Sequence, residues 1–232
     1  MKNIALSITA CALLALSSIS TSAQVQTVLD GAYVKEHNAT KRVIPYPHLR
    51  EADVMWAKRI WQIVDLREKQ NHSLYYPVEE IEDRKSLFDV IKHALLVDGS
   101  LTAYSLGPTD DDDEFRFPMS QSELDSLLNP WVVSYTEDPD TGDPIEVRTQ
   151  DPVRGAGITQ YQLKEDWLFD KQRSERYVRI IGICPMKEDY DDEGVKRGYK
   201  PLFWLYFPEC RYVFANWDVY NFQNDAQRRT FE

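Results

Sequence analysis

Apolar and polar positions along this chain follow two rhythms, one close to a helical turn and one of two residues. From Arg50 to Lys69 the apolar residues are Ala52, Met55, Trp56, Ile60, Ile63, Val64 and Leu66, with Arg59, Arg67 and Glu68 on the wet side. That stripe predicts an amphipathic helix. A second helix is predicted after Asp83 as N-cap, with Leu87, Ile91, Ala94 and Leu95 on one face and a stop before Gly99. Ser120 and Glu123 form a capping-box pattern for a short helix bearing Leu124, Leu127 and Leu128, closed by Asn129-Pro130. Thr159 and Gln162 repeat the box with Ile158 and Leu163 at staple positions, which predicts a helix through Trp167. The two-residue rhythm places strands at Trp131–Thr136 and Ile145–Thr149, joined as a hairpin by the turn-rich Asp138–Pro144. Tyr177–Cys184 and Leu202–Phe207 are further strands, the second apolar on both alternations and so predicted to be buried on both faces. Helices and strands mix without a repeating strand-helix-strand order. The fold class predicted is therefore α+β, an antiparallel sheet with several packed helices.

The chain start reads differently. Lys2 precedes an apolar run from Ile4 to Leu16, followed by the polar Ser17–Ser22 and by Thr21-Ser22-Ala23. This is the pattern of a signal peptide spanning residues 1–23, which would leave a mature chain from Gln24. Ile8-Thr9-Ala10-Cys11 resembles a lipoprotein cleavage box, but only about seven residues separate it from Lys2 and the apolar run continues past Cys11. Residues 24–48, with Pro45 and Pro47 and no clean period, form an extended arm before a single domain over 49–232.

Charge narrows the partners. The formal charge is -11, and removing the leader with its single charge, Lys2, makes it -11 minus 1, or -12. Such a chain repels nucleic acid and anionic lipid. No second apolar stretch of about 18 residues is present, so the mature chain is predicted to be soluble or peripheral. Export places Cys184 and Cys210 in an oxidising compartment that permits a disulfide. If 176–187 and 198–207 pair about residue 192, however, Cys184 lies opposite residue 201. Cys210 would then lie about 30 Å further along a straight strand. Only a sharp turn at Pro208-Glu209 would bring the two together.

The search for reactive groups returns little. Asp189-Tyr-Asp191-Asp192-Glu193-Gly194 starts like a calcium loop, but its twelfth position is Lys200, whose charge opposes the ion, so a plain hairpin loop is the better reading. Asp110–Glu114 concentrates five like charges and reads as a solvated loop or a docking edge. His37, His48, His72 and His93 are scattered, with no His-Glu-x-x-His pair, and no nucleophile elbow, P-loop or dinucleotide fingerprint is present. Neither a metal ligand set nor a cofactor site emerges.

Two stretches resemble a known family. Arg50-Glu-Ala-Asp-Val-Met-Trp-Ala-Lys-Arg-Ile-Trp61, with Val64–Lys69 and Leu74–Pro77, resembles the first helix of the GldN proteins, called PorN in non-gliding relatives. Pro201–Arg211 with Asn221 and Asn224–Arg228 is the other stretch that resembles this family. The resemblance implies a non-enzymatic periplasmic component of the type IX secretion and gliding machinery, without cofactor. It implies a ring with a GldK- or PorK-type lipoprotein at the inner face of the outer membrane, and contact with a GldM- or PorM-type motor stalk. Members usually continue past the Asn-Asp-Ala-x-Arg segment with another helix, whereas this sequence stops at Glu232. A ring needs two unlike patches on each copy. The candidates are the aromatic Phe203, Trp204 and Tyr206, and, on the predicted first helix, Arg50, Asp53, Trp56 and Arg59. Two other classes remain open on the residues alone: an exported carbohydrate-binding module using exposed rings, and a secreted hydrolase with paired carboxylates.

Overall fold

The computed structural model describes residues 41–232 apart from 82–83, 110–111, 138–143, 192, 222 and 225–226, all within the unit Glu36–Glu232. The proposed leader, most of the arm and Asp83 lie outside the described residues.

The stripe read as the first helix is a strand, β1 (Val54–Asp65). Val54, Trp56, Ile60, Trp61, Ile63 and Val64 are β-branched or aromatic, the residue types that lose rotamer freedom in a helix and pack well on a pleat. The apolar positions fit both periods, since Trp56, Ile60, Val64 and Leu66 also fall on one side of a strand, past a bulge that separates them from Val54. Pairing with a second strand decides the matter. A short helix α1 (His72–Tyr75) follows, then α2 (Leu87–Leu96), whose N-cap is Ser86. Ser86 Oγ accepts the Asp89 amide hydrogen and donates to Asp89 Oδ2 at 2.6 Å.

Next come β2 (Ala103–Ser105), β3 (Phe117–Pro118) and α3 (Gln121–Leu128), which starts with the predicted capping box intact. The predicted hairpin is β4 (Trp131–Glu137) and β5 (Pro144–Gln150). The second helix read from a capping box is also overturned, because Ile158–Asp170 is the strand β6. Thr159 does not cap a helix there. Its hydroxyl donates to Glu188 Oε1 on the neighbouring strand at 3.2 Å. The remaining elements are β7 (Glu175–Tyr190), β8 (Lys196–Pro201), β9 (Trp204–Tyr206) and a helix α4 (Phe207–Asn216).

Seven strands form one antiparallel sheet in the order β1-β6-β7-β9-β2-β3, with β8 paired to β7 beyond β9. Met186 faces Pro201 in the β7–β8 hairpin, a register two residues from the expected one. Ile183 faces Leu205 where β9 takes over. Successive side chains on a strand point to opposite faces, and two apolar clusters result. Ile183 and Leu205 join Leu87, Ile91, Leu95, Leu128, Tyr161, Phe203 and Phe214 in the main core, under the buried sides of α2, α3 and α4. Cys184 and Trp204 join Leu106 on the other face, with Tyr104 and Phe115 packed beside them. The prediction of burial on both faces for Leu202–Phe207 thus holds from Leu202 to Leu205, while Tyr206 is exposed.

Candidate partner-binding surface

β1 is an edge strand twelve residues long, paired with β6 along its inner side. Arg59 faces Asp166 in that register, and its guanidinium grips the carboxylate in a fork, Nε to Oδ1 at 2.8 Å and Nη2 to Oδ2 at 2.9 Å. The hydrogen bond to Asp166 holds the Arg59 proton more firmly than usual. Two positions on, Trp61 faces Lys164 and donates its indole hydrogen to Asp113 Oδ2 at 2.8 Å. Lys164 is buried, donates to the Asp113 carbonyl oxygen at 2.6 Å and forms an ion pair with its carboxylate at 3.2 Å.

The acidic segment near Asp110–Glu114 is therefore tied to its own sheet through Asp113, while Glu114 stays exposed. Phe115 locks it down. Its backbone sits in the left-handed region at φ 58°, and its ring packs edge-on against Tyr104, Trp204 and Tyr206 at 5.4, 6.4 and 5.7 Å. Gly182 makes room for that ring, since a Cβ there would lie 2.7 Å from Phe115 Cζ.

The residues singled out from sequence are dispersed. Arg50 is exposed and Asp53 half-buried just before β1, and Trp56 and Arg59 lie along it, both partly exposed. Phe203 and Trp204 are fully buried in the two cores, which leaves Tyr206 as the ring of that group at solvent. Cys184 and Cys210 are free, buried thiols, packed in the clusters on opposite sides of the sheet. Burial pushes both up to about 12. In the β7–β8 loop, Asp191 Oδ1 accepts the amide hydrogens of Glu193 and Val195, the geometry of a self-closing turn. Among the described residues no group of three or more His, Cys, Asp or Glu is arranged to hold a metal ion.

Sequence reading missed Trp61, Lys164, Asp113 and Phe115 as a connected set, because their contacts join parts of the chain about 50 to 100 residues apart. It also missed how bare the β4–β5 hairpin is. Among the described residues those two strands pair only with each other, and Trp131, Val132, Val133, Tyr135 and Val147 are all exposed. An exposed apolar row on a long edge strand, and a second on a separate ribbon, suit contact with other polypeptides.

The family model described as "Gliding motility associated protein GldN" matches residues 49–232. The chain belongs to the GldN family. The match begins where the sequence places the end of the arm, and it covers both stretches that carried the resemblance. GldN proteins are structural components of the gliding motility and type IX secretion machinery of the cell envelope. No curated protein matches the chain. No helix among the described residues is long and apolar enough to cross a membrane.

Proposed function

We propose that this GldN-family chain is a non-enzymatic building block, delivered to the periplasm by a leader cut after Ala23. There it assembles into a ring with a GldK- or PorK-type lipoprotein at the inner face of the outer membrane and touches a GldM- or PorM-type motor stalk. The observation that carries the reading is apolar surface left over after a complete core has formed: Met55, Trp56, Trp61 and Ile63 on β1, and Trp131, Val133 and Tyr135 on β4. Rings held at solvent by a rigid sheet make good anchors for a protein interface, because few rotamers are lost on binding. Arg59 supplies the polar handle, fixed in direction by Asp166. Arg50, Asp53 and Trp56 complete the patch assigned to the lipoprotein.

Charge reversal at Arg59 separates binding from folding. Arg59 is 45% exposed, so losing its ion pair with Asp166 costs the fold about 1 kcal/mol or less. Arg59→Glu should therefore give a folded, exported protein whose recovery with the lipoprotein in a pull-down drops at least about tenfold. Unchanged recovery would take the patch out of the interface. Gentle detergent extraction followed by size fractionation tests the wider reading, which requires a large particle containing the lipoprotein. A lone subunit retained on glycan would mark a carbohydrate-binding module instead, and turnover lost on single Asp or Glu substitutions would mark a hydrolase.

A further inference from the structure

Each copy carries two complementary defects. The outer side of β1 has no strand beside it among the described residues, although twelve residues of backbone are laid out there. The β4–β5 ribbon has seven residues in each strand and, among the described residues, no further strand beside it. A two-stranded ribbon alone is marginal in water, and an unpaired edge strand is a template for another strand.

We infer that the occupant of the β1 edge is the β4–β5 hairpin of a second copy of this chain, added with β4 alongside β1. This names the seam for the self-association proposed above and rests on that reading. The apolar rows match in spacing, Trp61 and Ile63 on β1 against Trp131, Val133 and Tyr135 on β4, each at two-residue intervals. Directly opposed aromatic and β-branched residues are the pairs that stabilise a sheet. Charge agrees as well. From Val54 to Val64 β1 carries Lys58 and Arg59 and no carboxylate, and from Trp131 to Thr136 β4 carries no charged residue. In a chain of net charge -11, that is a place where two copies can meet without acid facing acid. Pairing these strands and covering Met55, Trp61, Ile63, Trp131, Val133 and Tyr135 removes on the order of 1,000 Å² from water, the lower bound for a specific interface. The contact is head-to-tail, because each copy gives its hairpin to one neighbour and its edge to another, and such contacts propagate into rings or filaments.

The test uses the mature chain in two forms. Ile63→Cys and Val133→Cys are made in separate copies, mixed and oxidised; the native Cys184 and Cys210 are buried and stay silent. A disulfide joining the two different variants is the expected result. Disulfides only between identical variants, or none, overturn the seam, as they would if the chain's own residues 24–40 or another protein covered the edge. In the second form, Trp131→Ser with Tyr135→Ser should leave the unfolding midpoint near wild type, since both rings are exposed. It should also raise the concentration needed for self-association at least about tenfold and still recover the lipoprotein through Arg59. Self-association equal to wild type in that double variant overturns the seam and leaves the ring reading standing. A wild-type chain that stays monomeric with the lipoprotein present overturns both.

Discussion

At Gly182 one missing side chain decides whether the sheet can hold its second cluster. An added Cβ would lie 2.7 Å from Phe115 Cζ and 3.1 Å from Trp204 Cε3, and Phe115 is already held at a positive φ that costs a side-chain-bearing residue about 1–2 kcal/mol. Gly182→Ala should destabilise the protein by about 1–3 kcal/mol and loosen Phe115 from Trp204, read by denaturant unfolding and near-ultraviolet circular dichroism. Gly157→Ala is the control, with nothing within 4 Å of its would-be Cβ, and should be neutral or slightly stabilising. Equal effects at the two sites would contradict the packing described.

The two thiols make a second residue-scale prediction. Burial raises both to about 12, whereas an unfolded cysteine ionises near about 8.5. Between those values the folded chain keeps protons that the unfolded chain has released, so stability is full below about pH 8.5 and falls as pH rises toward about 12. The slope is up to about 1.4 kcal/mol per pH unit per thiol. Tyr161, fully buried and raised for the same reason, adds a further fall above about pH 10. Chemical denaturation across that window should show a decline whose earlier part disappears in Cys184→Ala with Cys210→Ala, and whose later part stays. A pH profile identical in wild type and double variant would remove the thiols from the account.

Elements differed in how far their sequences specified them. The box at Ser120 and Glu123 is local, with both reciprocal hydrogen bonds made within one turn, and it forms as read. Ser120→Ala should cost about 1 kcal/mol. The same letters at Thr159 and Gln162 lie in a strand, where the Thr159 hydroxyl reaches across to Glu188, so Thr159→Ala should cost less than Ser120→Ala in parallel melts. A larger loss at Thr159 would mean that its hydroxyl supports more of the fold than this one bond. The helices α2 and α3, the β4–β5 hairpin and most of β7 were legible because their signals are local: the apolar period for α2, whose cap is Ser86 and not the Asp83 read from sequence, the capping box for α3, and turn residues and alternation for the strands. β1 was not, because its apolar positions suit either rhythm and pairing with β6 about 100 residues on selects the strand, and β6 was not, because the box at Thr159 and Gln162 points to a helix where pairing with both β1 and β7 makes a strand. α4 was hidden because its first residue, Phe207, is also the last of the apolar run read as a strand. Pro208 in its first turn was the available signal. Arg59 could be named from sequence as a polar handle, but Asp166, which aims it, lies 107 residues away.

On the scale of the whole molecule, charge and shape pull in opposite directions. Mature copies, all strongly negative, repel one another, and that field reaches about 30 Å at 0.01 M salt but only about 8 Å at 0.15 M. A seam of backbone hydrogen bonds and apolar rings gains from screening, because salt removes the repulsion and leaves the contact intact. A lipoprotein contact that depends on the Arg59 guanidinium loses from it. Raising salt over that range should therefore strengthen self-association, measured by sedimentation velocity, and weaken recovery of the lipoprotein, measured by pull-down from the same preparation. The two signs follow from two different parts of one strand, its edge and its charged face. Self-association that weakens with salt would identify an ion-paired contact between copies, which the uncharged row Trp131–Thr136 of β4 could not supply.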